Sequence, residues 1–292
     1  MKKTLLIFAG TLLAFIATST FAADAPQAAG TGASFKGPLG LQLWSLRDEF
    51  KKDVPSAMDR VHALGFRLVE LAGLYGKTPE EIKALLEARG LKAVAGHVSY
   101  DRLRTDPEGV AKEAKALGLE YIGTAWISHS GPFKESDVHE AAKVFNHAGE
   151  LLARQGIKLY CHNHGYEFVP YGDGTLFDLL MQETKPEFIS FEMDVTWVIF
   201  PGQDPTKLLQ KYAGRWSLMH LKDLKRGVPT GALTGKTDVK NDVVIGTGQT
   251  DWMSVLKAAQ QAGIKYYFIE DESPSALEQI PQSLKFLEQV KF

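Results

Sequence analysis

Residues 159–168 read Leu-Tyr-Cys-His-Asn-His-Gly-Tyr-Glu-Phe, an apolar run that stops abruptly in His162, Asn163 and His164. The run reads as a buried strand. Side chains alternate along a strand, so His162 and His164 point the same way. Two imidazoles on one side of a strand end suit a metal ion or a polar substrate; alone, the pair fits satisfied core histidines equally well. Later apolar runs end in the same manner. Glu192 and Asp194 share one face of Phe191-Glu192-Met193-Asp194, His220 and Lys222 follow in Met219-His220-Leu221-Lys222, and Glu270 and Glu272 close Phe268-Ile269-Glu270-Asp271-Glu272. Earlier runs end near Glu70 and at His97. Any one pair of charges at a strand end ordinarily meets solvent. Brought together, they crowd carboxylates that resist desolvation, and a divalent cation removes that conflict. Mixed imidazole and carboxylate donors fit Mn²⁺, Co²⁺, Zn²⁺ or Fe²⁺ better than Ca²⁺. Cys161 is the only cysteine, which excludes an all-cysteine zinc site and an intrachain disulfide. Set inside an apolar strand, it is expected to be inert.

One unit recurs along the chain: a helix ending in Gly, an apolar residue, a charged residue, then a strand. It appears at Gly65-Phe66-Arg67, Gly90-Leu91-Lys92, Gly118-Leu119-Glu120, Gly156-Ile157-Lys158 and Gly263-Ile264-Lys265. Gly tolerates the left-handed backbone that closes a helix. Helix starts are marked by Thr78-Pro79-Glu80-Glu81, a capping box, and by Asp106-Pro107 and Asp204-Pro205. Strands are expected at Gly40–Trp44, Leu68–Leu71, Ala93–His97, Tyr121–Ala125, Leu159–His162, Ile189–Met193, Ser217–Leu221 and Tyr266–Glu270, with a helical segment between each pair. Alternating strands and helices imply parallel pairing. Eight such units match the size of a single (β/α)8 TIM barrel over residues 38–292. The rival, a doubly wound open sheet, ordinarily carries a glycine-rich turn after its first strand, where this chain has Trp44-Ser45-Leu46-Arg47. Two long loops, Ser128 to Asp137 and Lys222 to Thr250, read as lids or binding loops.

Hydrophobic content of 45% and charged content of 23% are those of a globular protein, and the net charge of −2 lacks the basic footprint of a nucleic-acid binder. Met1-Lys2-Lys3, the apolar stretch Leu5 to Ile16 and Thr20-Phe21-Ala22 read as a cleavable signal peptide over residues 1–22. The apolar stretch is short of the roughly 20 residues a spanning helix needs, so no membrane span is expected after cleavage. Residues 23–37 read as a flexible lead-in. Export places the protein in the periplasm or outside the cell, where a phosphorylated sugar is a poor substrate.

The runs Tyr160-Cys161-His162-Asn163-His164-Gly165-Tyr166-Glu167-Phe168, Glu192-Met193-Asp194-Val195-Thr196-Trp197, His220-Leu221-Lys222-Asp223, Gly246-Thr247-Gly248 with Asp251-Trp252, and Glu270-Asp271 resemble the sugar phosphate isomerase/epimerase family, within the xylose isomerase-like TIM barrel superfamily. The resemblance runs from about Leu39 to the C-terminus. It implies one divalent metal ion held by strands five to eight, at His162, Asp194, His220 and Glu270. The first position departs from the pattern: relatives often carry Glu-Asn-His where this chain has His162-Asn163-His164. In the superfamily's epimerases two glutamates move protons as well as hold metal, and an imidazole bound to metal has no lone pair left for that task. The resemblance therefore implies Glu270 as one acid/base, with the second among Glu167, Glu192, His97, His164 and Lys222.

The leading expectation is a metal-dependent isomerase or epimerase of a non-phosphorylated keto sugar, working through an enediolate. Glu270, Lys222, His97 and Glu192 are its catalytic candidates. His164, Glu167, Glu70, Trp44, Trp126 and Trp197 are the substrate-binding ones, and Trp252 is a further residue that stacks on a sugar or simply packs. A second expectation keeps the site and makes the protein a lyase or dehydratase acting on a 3-keto glycoside or an inosose, since elimination needs one base and one acid rather than a symmetric pair. A third is a periplasmic sugar binder without catalysis. DNA-repair endonucleases of the same superfamily need a richer metal cluster and a basic face. The partner expected is a small carbohydrate, with no nucleic acid.

Overall fold

In the computed structural model the apolar runs form the inner strands, β1 Leu39–Gln42, β2 Leu68–Leu71, β3 Lys92–Gly96, β4 Tyr121–Thr124, β5 Lys158–His162, β6 Ile189–Asp194, β7 Trp216–Leu221 and β8 Tyr266–Ile269, and β2, β3, β4, β5 and β8 each follow a Gly-closed helix. The structure describes Met1, Phe35 and residues 37–292. The signal peptide read at residues 1–22 therefore lies, Met1 apart, outside the described residues, as does most of the lead-in.

The strands pair in parallel in the order β3-β2-β1-β8-β7-β6-β5-β4. The two ends of that order meet. His97, one residue past β3, bridges Gly123 of β4, with Val98 N–H donating to the Gly123 carbonyl at 2.8 Å and Glu120 N–H to the Val94 carbonyl at 3.0 Å. The result is a single, nearly closed (β/α)8 barrel of eight parallel strands, its thinnest seam between β3 and β4.

The principal helices are α1 Val54–Ala63, α2 Pro79–Glu87, α3 Pro107–Leu117, α4 Glu135–Ala153, α5 Leu176–Glu183, α6 Pro205–Lys211, α7 Trp252–Ala262 and α8 Ala276–Gln289. Their starts are those the sequence marks. Thr78 and Glu81 form a reciprocal capping box on α2, and Asp106 and Asp204 cap α3 and α6 ahead of a proline. Gly118 and Gly263 close α3 and α7 at φ of 75° and 88°. The large core lies between strands and helices; a smaller one inside the barrel comprises Val94, Ala95, Tyr160, Leu218 and Phe268. Two bulky rings fit there because their neighbours are glycines. A Cβ on Gly123 would lie 2.1 Å from the Tyr160 carbonyl, and one on Gly40 would lie 2.8 Å from the Phe268 ring. Filling the barrel in this way leaves only its carboxyl-end mouth for chemistry.

The long segment after β7 is not structureless. Asp223–Leu224 pairs antiparallel with Asp242–Val243, which pins the loop at its base. Asp223 then collects the backbone N–H groups of Gly246 and Gly248 and the Trp252 indole N–H at 2.9, 3.0 and 3.0 Å. The Gly246-Thr247-Gly248 turn and Trp252 thus serve to anchor the loop on α7. Trp252 is buried there, which decides for packing over stacking on a sugar. Among the described residues no helix is long and apolar enough to cross a membrane.

Candidate metal centre and substrate cavity

The carboxyl ends of β5, β6 and β7 bring His162, Asp194 and His220 together, with donor atoms all within 4.8 Å of one another. Glu270, one residue past β8, adds its Oε2 at 3.2 Å from His220 Nδ1. Each donor is aimed by a second contact. Asp194 caps the short helix Val195–Ile199 by accepting the Trp197 N–H on Oδ1 at 2.9 Å. The Asp194 backbone N–H is in turn held by Asn163 Oδ1 at 3.0 Å. Its Oδ2 is buried with no hydrogen-bond partner and lies 3.9 Å from His220 Nδ1, itself a buried atom without one. His162 turns Nδ1 onto Glu192 Oε2 at 3.1 Å, and His220 turns Nε2 onto Glu70 Oε2 at 2.6 Å. Both imidazoles therefore meet a carboxylate through one nitrogen, which leaves the other for a ligand role.

The charges in this cluster follow from burial set against neighbours. Burial drives the His162 imidazole down to about 4, so it is neutral near pH 7 as a ligand must be. Burial likewise drives His164 well below the ordinary histidine range. Burial would also lower His220, but Glu192, Glu70 and Glu270 outweigh it and hold His220 well above. The carboxylates that retain a proton there would equally retain a cation. Burial lifts Asp194 to about 7 against the pull of Lys222. Orphaned buried oxygen and nitrogen atoms facing one another, among neutral and anionic donors, fit a divalent ion held by imidazole and carboxylate.

A cavity of about 310 Å³ opens over these donors. His162, Glu270 and Glu272 form part of its wall, with His97, His164 and the indoles of Trp44, Trp126 and Trp197 around them. Trp44 is fixed by its indole N–H on Glu272 Oε2 at 3.1 Å and by the Arg47 guanidinium over its ring at 5.4 Å. Trp126 is wedged between His129, stacked at 5.2 Å, and the backbone of Gly235 in the β7–α7 loop, where a Cβ would lie 2.5 Å from the indole.

A sequence profile described as xylose isomerase-like TIM barrel matches residues 58–290. The chain belongs to the xylose isomerase-like TIM barrel family. An inosose dehydratase of Clostridium botulinum (strain Alaska E43 / Type E3) is 24% identical over 293 residues, covering 87% of this chain and 94% of that protein. The crystal structure of a sugar phosphate isomerase/epimerase from Parabacteroides distasonis ATCC 8503 superposes with a TM-score of 0.72 at 23% identity, over 88% of this chain and 98% of that one. The IOLI protein, solved with a binding zinc atom, superposes with a TM-score of 0.66 at 15% identity, over 86% and 96%.

Within this family member, the residues singled out from sequence fall into two layers. His97, His162, His164, Trp44, Trp126, Trp197 and Glu270 line the cavity, while Asp194 and His220 lie buried just behind its wall. Glu70, Glu192, Glu167 and Lys222 do not line it. Glu70 and Glu192 are fully buried one step deeper, where Glu70 accepts the Tyr160 hydroxyl and Glu192 sits 3.3 Å from His97 Nε2. A direct role in gripping sugar for Glu70 gives way to supporting His220. Glu167 faces its own loop, accepting the His164 N–H at 3.0 Å; burial lifts its carboxyl to about 8. Lys222 is buried among Glu270, Glu272 and Asp242, at 3.3 Å from Glu270 Oε2 and 3.6 Å from Asp242 Oδ2. Burial alone would neutralise this amine, and those carboxylates reverse the effect, so it stays protonated. Glu272, picked out at its strand end but given no role, lines the cavity; Asp242 was missed, as was Gln42, whose Oε1 accepts the Trp44 N–H at 3.0 Å and whose Nε2 lies 3.5 Å from His97 Nδ1. A polar residue inside Leu39-Gly40-Leu41-Gln42-Leu43 was the available signal for Gln42.

Proposed function

We propose that this protein is a metal-dependent lyase that expels a β-substituent, water or an alcohol, from a keto sugar or keto cyclitol. One observation carries the choice of elimination over epimerisation: the end of β5 brings an imidazole, His162, to the cavity wall, and no carboxylate to serve there as a second base. Of the two carboxylates in the cavity wall, Glu270 and Glu272, Glu270 is the one beside the metal donors, with Oε2 3.2 Å from His220 Nδ1. Burial raises its carboxyl, but Lys222 and His220 outweigh that and hold it well below the usual range, so it is ionised and ready to accept a proton. A divalent ion held by His162, Asp194, His220 and Glu270 would polarise the substrate carbonyl and acidify the adjacent C–H. Glu270 takes that proton. His97 faces it across the cavity. Burial lowers the His97 imidazole, yet Glu70 and Glu192, each 3.3 Å from its Nε2, raise it above the ordinary value, so the ring places positive charge beside the departing oxygen, which takes its proton from water. Trp44, Trp126 and Trp197 offer apolar faces to the ring and exclude water. The inosose dehydratase relative supports the same reaction class, and the zinc in the IOLI structure supports zinc among the metals to test.

The test is incubation of metal-loaded protein with scyllo-inosose and 3-keto glucosides in D₂O, followed by NMR. Elimination predicts loss of water or alcohol with an unsaturated or diketone product. Deuterium exchange with an epimeric product and no elimination would return the assignment to an epimerase. Sugar affinity that survives chelation, with neither exchange nor product, would leave a binding protein.

A further inference from the structure

Beside the metal cavity lies a larger one, of about 540 Å³, formed by the loops after β2, β3 and β4. The two share Ala72, His97, Ala125 and Trp126 as a common border. Two of these are alanines, so the sill between the cavities is low. The other two are a rigid indole and the imidazole assigned above to the leaving group. The metal cavity, at about 310 Å³, is at the small end for a ligand site and suits a single ring. The neighbouring cavity has a mostly apolar lining, with Leu74, Val98 and Trp126 among it, and one charge-balanced pair. Arg102 donates to Glu113 Oε2 at 2.7 Å, and Ser99 and Ser128 add hydroxyls. A guanidinium already neutralised by a carboxylate makes a poor phosphate site, while its other N–H groups and the serines suit the hydroxyls of a neutral sugar.

We infer that the cavity between the β2, β3 and β4 loops is a second subsite, which holds a neutral glycosyl leaving group, so that the substrate is a keto glycoside of at least two units. The inference rests on the elimination reading and deepens it. The keto ring lies over the metal donors with its C1 oxygen toward His97. For a 3-keto glucoside, the C2 proton passes to Glu270, a C1–C2 double bond forms, and the C1–O bond breaks with its electron pair on oxygen. That oxygen takes a proton from water in the second cavity. The products are an unsaturated ketosugar and a free sugar, released through separate cavities with no oxidant or reductant required.

The experiment compares the 3-keto derivatives of methyl β-glucoside and of cellobiose, oxidised on the non-reducing ring, in the full chain and in Ser128→Trp and Arg102→Ala. Ser128 is exposed on the outer wall of the second cavity, so an indole there fills the cavity without entering the core. The subsite predicts that kcat/KM for the cellobiose derivative exceeds that for the methyl one by about tenfold or more, and that both variants collapse this ratio. Equal values for the two compounds, with the same ratio in the variants, overturn it. If neither compound is cleaved, the elimination reading fails on its own. The subsite is then tested by calorimetry with unoxidised cellobiose and methyl β-glucoside. Tighter binding of cellobiose, lost in Ser128→Trp, upholds it, and equal binding overturns it.

Discussion

His220 and Glu70 meet inside the barrel with Nε2 2.6 Å from Oε2, and this contact turns the other ring nitrogen, Nδ1, toward Asp194 and Glu270. The carboxylate fixes both the tautomer and the tilt of the imidazole. Glu70 is itself held, by the Tyr160 hydroxyl. A chain of contacts thus runs from the barrel interior to the candidate metal centre.

Removing the carboxylate should therefore loosen the metal. Glu70→Ala is expected to weaken divalent-metal affinity by about 10–100-fold, with Glu70→Gln less affected because it keeps an acceptor. Competition titration with a chromophoric chelator measures this directly. Equal affinity in all three proteins would show that His220 needs no such support.

Glu270→Gln removes the proposed base while preserving size. Turnover is expected to fall by about 10²–10⁴-fold. Lys222 keeps Asp242 and Glu272 as partners, so the fold should persist. Circular dichroism and single-turnover kinetics separate the two effects.

Glu167 gives the stability a pH dependence. Its buried carboxyl titrates near 8 when folded, against an ordinary value of 4.5. Between those values the folded chain keeps a proton that the unfolded chain releases. Its contribution to stability therefore falls as pH rises from about 4.5 to about 8, and stays low above that. Glu167→Gln, which cannot ionise, should flatten this part of the profile and stabilise the protein most at pH 8 and above. Urea unfolding at pH 5 and pH 8, in both proteins, reads the difference.

Cys161 is buried in β5, and burial holds its thiol well above the ordinary value. It should resist iodoacetamide in the native protein and react once the chain is unfolded. Modification at native rates comparable with those of a free thiol would contradict the burial.

The sequence exposed the barrel because each Gly-closed helix and each apolar run carries its own local signal. His162, Asp194, His220 and Glu270 stood out as polar residues at the ends of apolar runs, but so did Glu70, His97, Glu192 and Lys222, and it was the family resemblance that singled out the four as a metal set. Contacts within the site were not legible. Chain order sets Glu192 a layer below Asp194 on one face of β6, but it does not show that Glu192 is spent on His162, His97 and His220 and never reaches the cavity. Glu70 was assigned to substrate for want of the same information. Asp242 was invisible for another reason. It reaches Lys222 only because its loop pairs back onto Asp223–Leu224, a contact between two-residue strands that leaves no periodic trace.

The most direct measurement is anomalous diffraction from crystals of the full chain grown with Mn²⁺ or Zn²⁺. A single peak within bonding distance of His162, Asp194, His220 and Glu270, with Glu70 and Glu192 outside that distance, is the result predicted here. A peak bound by Glu70 and Glu192 instead, or no peak at a saturating metal concentration, would contradict the account.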